Sequence, residues 1–186
     1  MKYLRITSIT AIVLLALAVM AQQKRETYQA NARGTSTQMG RMVSVNIIIE
    51  QYSSDDDRQM LVETFEKGGS DALSDMLEKM PSKGRIAITG TLGYDIAYVR
   101  VFPTPNGRKI RILTSRPVRM GEVRNDTRSS DYDMSALEMD FGPGKEAKGV
   151  LLPACQFMVD KKTRELQIET YQNPWELTNI IDWGAK

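Results

Sequence analysis

The feature that most constrains this chain is a change of hydrophobic period. From Gly84 onward the apolar residues recur at every second position: Ile86 and Ile88; Tyr94, Ile96 and Tyr98; Ile110 and Ile112; Leu137, Met139 and Phe141; Leu151, Phe157 and Val159; Leu166 and Ile168; then Leu177 and Ile180 near the end. Such alternation buries one face of a strand and leaves the other to water. Turn sequences separate the runs: "TPNGR" at 104–108, "GPGK" at 142–145 and "DKKT" at 160–163. The pattern predicts an antiparallel meander of about seven short strands.

A different pattern precedes it. "RMVSVNIIIEQY" at 41–52 alternates Val43, Val45, Ile47 and Ile49 against Ser44, Asn46, Ile48 and Glu50, the signature of one more strand. "SSDDDRQMLVETFEKGG" then reads as a helix. Ser54 is its N-cap, Asp55 to Asp57 sit in the first turn where the helix dipole favours acids, and Met60, Leu61 and Phe65 form an apolar stripe. Gly68-Gly69 is the expected stop. "SDALSDMLEKMP" reads as a second helix, with Leu73, Met76, Leu77 and Met80 on one face and Pro81 ending it. The expected fold is α+β: a β-α-α start, then a curved antiparallel sheet or partial barrel with a helical hairpin packed on its concave side.

The chain opens "MKYLRITSITAIVLLALAVMAQQ", with Lys2 and Arg5 ahead of an unbroken apolar run from Ala11 to Ala21. A basic start, a short apolar stretch and small residues before a polar turn read as a cleavable secretory signal peptide over 1–21. The run is too short to span a bilayer, which takes about 20 apolar residues. Residues 22–40, polar and without period, read as a flexible leader, and 41–186 as a single domain. Cleavage would remove two basic residues and no acid, leaving 23 Lys and Arg against 23 Asp and Glu. A neutral chain lacks the field that draws in nucleic acid or an anionic membrane, so neither is an expected partner, and the expected place is the periplasm or outside the cell.

The composition excludes much chemistry. There is no histidine, which removes Ser-His-Asp and Cys-His catalysis and nearly all zinc sites. The one cysteine, Cys155, allows no internal disulfide, and its parity with Leu151, Phe157 and Val159 predicts a buried, unreactive thiol. Gly144-Lys145 lacks the remaining residues of a phosphate loop, and Asp131-x-Asp133-x-Ser135 lacks the glycine and glutamate of a calcium loop. No cofactor or metal is expected. Asn125-Asp126-Thr127 matches a glycosylation sequon, which matters only in a cell that secretes through an endoplasmic reticulum.

"RPVRMGEVRNDTRSSDYD" at 116–133 carries eight charges in eighteen residues, four of each sign. One reading is a long loop held by its own Arg to Asp pairs. The other is a site for a small anion or an acidic partner, with Arg119, Arg124 and Arg128 as contacts, Asp131 orienting one guanidinium and Tyr132 stacking. The alternative function is a carboxylate-dependent hydrolase of an extracellular glycan or ester, for which Asp131, Asp133, Glu138 and Asp140 are the available acids. Of these, Glu138 and Asp140 point opposite to Leu137, Met139 and Phe141 and read as a solvated sheet face. Pro153 marks an edge or a bulge, since proline cannot donate to a ladder. Trp175 and Leu177 read as closing the core. The reading is a secreted, monomeric or weakly oligomeric, non-enzymatic binding domain.

"YSSDDDRQMLVETFEKGGSDALSDMLEKM", "GRKIRILTSRPV", "NDTRSSDYD" and "LQIETYQNPWELTNI" together resemble a group of small secreted bacterial proteins, mainly acidobacterial, over residues 40 to 182. The resemblance implies secretion and a shared fold, and no activity, cofactor or ligand. Where that group has "DYPF" this chain has "DYDM", with Asp133 and Met134.

Overall fold

The computed structural model describes residues 25–118, 132–142 and 147–184. Among the described residues there are ten strands: β1 (Glu26–Gly34), β2 (Met42–Ile49), β3 (Gly84–Ile88), β4 (Tyr94–Ile96), β5 (Tyr98–Thr104), β6 (Gly107–Thr114), β7 (Met134–Phe141), β8 (Lys148–Val159), β9 (Leu166–Gln172) and β10 (Trp175–Asp182). Among the described residues the α-helix, α1 (Asp55–Lys79), lies between β2 and β3, and a three-residue 3-10 turn, Ser36–Gln38, lies between β1 and β2. The strands form one antiparallel sheet in the order β4-β3-β2-β1-β10-β8-β7-β6-β5, with β9 attached to β8 alone. Its two ends, β4 and β5, are separated in the chain only by Ala97. The Ala97 N–H donates to the Leu113 carbonyl at 3.0 Å, while the Ile96 carbonyl accepts from Lys83 at 2.7 Å. The sheet therefore curls until both ends are one run of chain, giving a nearly closed barrel.

Alternation sorts the side chains to two sides. Tyr28, Ala30, Ala32, Val45, Ile47, Ile49, Ile86, Ile96, Val99, Ile110, Ile112, Leu137, Met139, Leu151, Trp175 and Leu177 form one buried cluster drawn from every strand but β9. This is the barrel interior, and it is filled with side chains. Leu113, Met134, Ala136, Leu152, Cys155, Phe157 and Leu166 face the other way and meet Leu61, Val62, Leu73 and Leu77 of α1. The helix thus covers the outer face, not the concave side. The interior has no room for it, and the outward apolar positions of β6 to β9 are the surface that needs cover.

The helical segment also departs from the expected hairpin. Ser54 and Asp57 form a reciprocal capping box, as the sequence implies. Gly68-Gly69, however, does not end the element. Gly69 takes φ 69 and ψ −155, so the helix breaks its path at one residue and resumes without a loop. Met60, placed on the buried stripe by sequence, is 44% exposed; Leu61 and Val62 carry the contact.

Three further corrections concern strands. Residues 26–34 belong to no leader: Glu26, Tyr28, Ala30 and Ala32 alternate inward, and β1 pairs with β2 on one side and β10 on the other. Two inward positions are alanine, which hides the period from a reading keyed to large apolar residues. Among the described residues the meander holds eight strands after α1, not seven, partly because the run Tyr94, Ile96, Tyr98 is two strands. Parity flips at Ala97, so Ile96 points inward and Tyr98 outward. In β8 the ladder with β7 shifts between Met134↔Cys155 and Ala136↔Leu152, a bulge at Pro153. It reverses the faces, so Leu151 lies inside while Cys155 and Phe157 lie outside. The same proline marks where β8 changes partner, from β10 at 149–151 to β9 at 154–159.

Candidate functional site

The outer face of β5, β6 and β7 carries charge where the helix stops covering it. Arg100 and Arg111 stand directly opposite one another across β5 and β6. Like charges so placed repel unless acids intervene. Arg100 Nη2 lies 2.7 Å from Asp55 Oδ1 and 3.4 Å from Glu165 Oε1. Arg111 Nε donates to Glu138 Oε1 at 2.6 Å, stacks its guanidinium 4.9 Å from the Phe102 ring centre, and donates from Nη1 to the Leu166 carbonyl. Arg58, one turn into α1, donates to the Arg164 carbonyl at 2.8 Å. The three arginine side chains are only 22%, 24% and 14% exposed for Arg58, Arg100 and Arg111. Two guanidinium groups therefore cap carbonyls around the start of β9, fixing it over the barrel wall.

Two buried donors in this strip have no acceptor. Arg58 Nε is 3.6 Å from Asp55 Oδ1 and 3.7 Å from Glu165 Oε1, too far to donate to either. The Tyr98 hydroxyl is likewise buried and without a hydrogen-bond partner. Burial, then the charge of Glu165, pushes the Tyr98 phenol well above its usual range, so it stays a neutral donor. Beside the strip, Arg111, Glu138, Val150, Leu152, Gln167 and Ile168 line a hollow of about 280 Å³ between β9 and the barrel wall. A concave site with apolar walls and a few placed polar groups is the usual anatomy of a small-ligand site.

Asp55 is the exposed member of the arrangement, its carboxylate 75% accessible at the first position of α1. Its hydrogen bond to Arg100, followed by the charges of Arg100 and Arg58, holds it below the usual carboxylate range. Chemically the strip offers guanidinium forks, a phenol donor and the N-terminal end of a helix, all of which bind oxyanions.

A second polar cluster closes one mouth of the barrel. Arg108 Nη2 lies 3.1 Å from Glu26 Oε2 and donates to the Tyr28 hydroxyl at 2.8 Å, and its guanidinium sits 5.4 Å from the Phe141 ring centre. Tyr28 in turn donates to Glu26. Burial alone would raise the Glu26 carboxyl, but hydrogen bonds from Tyr28, Tyr52 and Arg108 outweigh it and hold the group below its usual range. These donors are all engaged, so the cluster reads as a plug. Its signal was present in sequence: Arg108 shares parity with Ile110 and Ile112.

Of the residues singled out in sequence, Arg119, Arg124, Arg128 and Asp131 lie outside the described residues, as do "GPGK" from 143 on and the sequon. Tyr132 is half-buried and Asp133 exposed. Glu138 is not a solvated face residue: it is 16% exposed and bound by Arg111, with Lys109 at 3.5 Å. Asp140 is exposed, as expected, near the same lysine. Arg58, Arg100 and Arg111 were missed because they come from three separate segments and only the fold gathers them. Among the described residues no three acids or cysteines are grouped to hold a metal ion, and no helix is long and apolar enough to cross a membrane. Comparison with family models, curated proteins and solved structures found no match to the chain.

Proposed function

We propose that the protein is a secreted, non-enzymatic binding domain that takes a small anion, or an acidic group of a partner, at the strip formed by Arg58, Arg100 and Arg111. The observation that supports this most is the pair of buried donors, Arg58 Nε and the Tyr98 hydroxyl, left without acceptors among guanidinium groups. A buried donor lacking a partner is destabilising by about 1–3 kcal/mol, and an oxyanion there would relieve it. Asp55 acts as the resident anion: an exposed carboxylate on a side chain free to swing away when a carboxylate, sulfate or phosphate takes its place at Arg100. The hollow beside Arg111 would hold the rest of a larger ligand. Arg119, Arg124, Arg128, Asp131 and Tyr132 stay proposed as further contacts of the same chemistry. Secretion is inferred from the sequence of the first 21 residues.

The test is thermal unfolding of residues 22–186 with sulfate, phosphate or citrate. Binding to the native state raises the midpoint with ligand concentration. The expected result is a saturable rise that is larger in Asp55→Asn, which removes the competing carboxylate, and absent in Arg100→Met/Arg111→Met. A midpoint that no anion moves, or a rise that both variants leave unchanged, would sink the reading.

A further inference from the structure

We infer that the ligand of the arginine strip is a zwitterionic aliphatic amino acid of leucine's size, its carboxylate on Arg111, its ammonium on Glu138 and its side chain in the hollow beside β9. This rests on the strip being an oxyanion site, as proposed above, and narrows what that oxyanion belongs to. The hollow of about 280 Å³ is lined by Arg111, Glu138, Val150, Leu152, Gln167 and Ile168. Half of that lining is apolar: Leu152 is buried in the outer cluster, and Val150 and Ile168 pack against it. Arg111 uses Nε on Glu138 and Nη1 on the Leu166 carbonyl, two of the five N–H groups a guanidinium carries. Glu138 is an acceptor. Gln167 donates its amide nitrogen to Asp160 Oδ2 at 3.0 Å, so its carbonyl oxygen is the group it has to offer, a second acceptor.

The balance of charge selects the ligand. Arg58, Arg100 and Arg111 stand among Asp55, Glu138 and Glu165, three of each sign, and Lys109 and Asp140 beside them add one more of each. A bare anion seated at Arg111 meets the Glu138 carboxylate, 2.6 Å from the same guanidinium, as a like charge. A bare amine seated at Glu138 meets Arg111 in the same way. An α-amino acid carries its carboxylate and ammonium side by side, as the ion pair carries its two charges, so each end finds its opposite. Both side chains are mostly shielded from water, where charge-assisted hydrogen bonds are stronger than those to a neutral amide or hydroxyl. Size and lining set the rest. Pockets for drug-sized ligands run from about 300 to 1,000 Å³, so a hollow just below that range suits a single amino acid, and walls of valine, leucine and isoleucine suit an aliphatic one.

The experiment is titration calorimetry of leucine, glycine, isocaproate, isoamylamine and isocaproamide into residues 22–186. Isocaproate is leucine without its ammonium, isoamylamine is leucine without its carboxylate, and isocaproamide is the neutral amide of the same carbon chain. Leucine should bind about ten-fold or more tighter than each of the others, because each leaves a charge or the apolar wall unmatched. Glu138→Gln should bring leucine down to the affinity of isocaproate, and Arg100→Met/Arg111→Met should abolish binding of both. Glutamine keeps an oxygen for Arg111 Nε, and an unchanged melting temperature checks that the variant folds; the ligand series on the unaltered protein decides the matter without any variant. Any of the other four compounds binding as tightly as leucine overturns the zwitterion, as does leucine binding that Glu138→Gln leaves intact. Leucine failing where sulfate or citrate binds also overturns it and leaves the anion site standing, whereas failure of leucine, isocaproate, sulfate and citrate together removes the anion site as well.

Discussion

At the closed mouth of the barrel, Arg108 and two tyrosine hydroxyls keep Glu26 ionised in spite of burial, and the sign of the resulting pH dependence follows. A carboxyl held below its ordinary value of 4.5 contributes stability that is complete above that pH and is lost as pH falls through the folded-state value. Arg108→Met removes the cation, so burial then opposes ionisation. The variant should be less stable by about 1–2 kcal/mol at neutral pH, with the gap narrowing as pH falls below 4.5. Melting curves of both proteins at pH 7 and pH 4 check this; a gap independent of pH would mean that Arg108 acts by packing alone. Cys155 supplies a second residue-scale outcome. It is fully buried, and burial pushes its thiol up to about 12. A thiol reagent at pH 8 should leave the native protein unlabelled and label one group on unfolding. That behaviour was legible in sequence, because a small apolar residue in an apolar run needs no fold to be recognised as core. The arginine strip was not legible, since Arg58, Arg100 and Arg111 meet only when α1, β5 and β6 come together.

Among the elements, α1 shows where a local signal was read correctly in kind and wrongly in consequence. Gly68-Gly69 does interrupt the helix, but the interruption is one residue in a conformation that only glycine adopts readily, and both halves bury leucines in the same outer cluster. Gly69→Ala forces a choice between backbone strain and a straight helix that withdraws Leu73 and Leu77. It should cost about 1–3 kcal/mol and lower the melting temperature, whereas Gly68→Ala should act through its tight approach to Ala72. An unchanged midpoint in Gly69→Ala would show that the break is not required. β8 teaches the complementary point. Proline within "VLLPACQ" announced an edge or a bulge, and a bulge is there, yet its larger effect is to hand the strand from β10 to β9 and to invert which face is buried. Periodicity read across such a point assigns half the strand to the wrong side, and Leu151 with Phe157 is the instance.

For the whole molecule, the pairing of β1 with β10 joins the first strand to the last. The barrel therefore cannot close until β10 is in place, and such non-local pairing favours slow folding, in the millisecond to second range. A chain ending at Gln172 loses Trp175 and Leu177 from the interior and removes the strand that joins β1 to β8, leaving each with one edge unpaired there. It should show no cooperative thermal transition; a cooperative melt from that truncation would contradict the closed arrangement. The antiparallel sheet could be read from alternation alone, but closure could not, because it depends on β1, whose inward alanines carry little hydrophobic signal, and on a parity change at Ala97 that no composition marks.

Where an anion binds is tested directly by titration calorimetry of citrate into three proteins: residues 22–186 unchanged, with Arg100→Met/Arg111→Met, and with Arg124→Ala/Arg128→Ala. Binding that survives the second pair of substitutions and vanishes with the first is the predicted result. Binding that vanishes with the second pair and survives the first would place the site in the 116–133 stretch and leave the strip on the barrel wall as a clasp for β9.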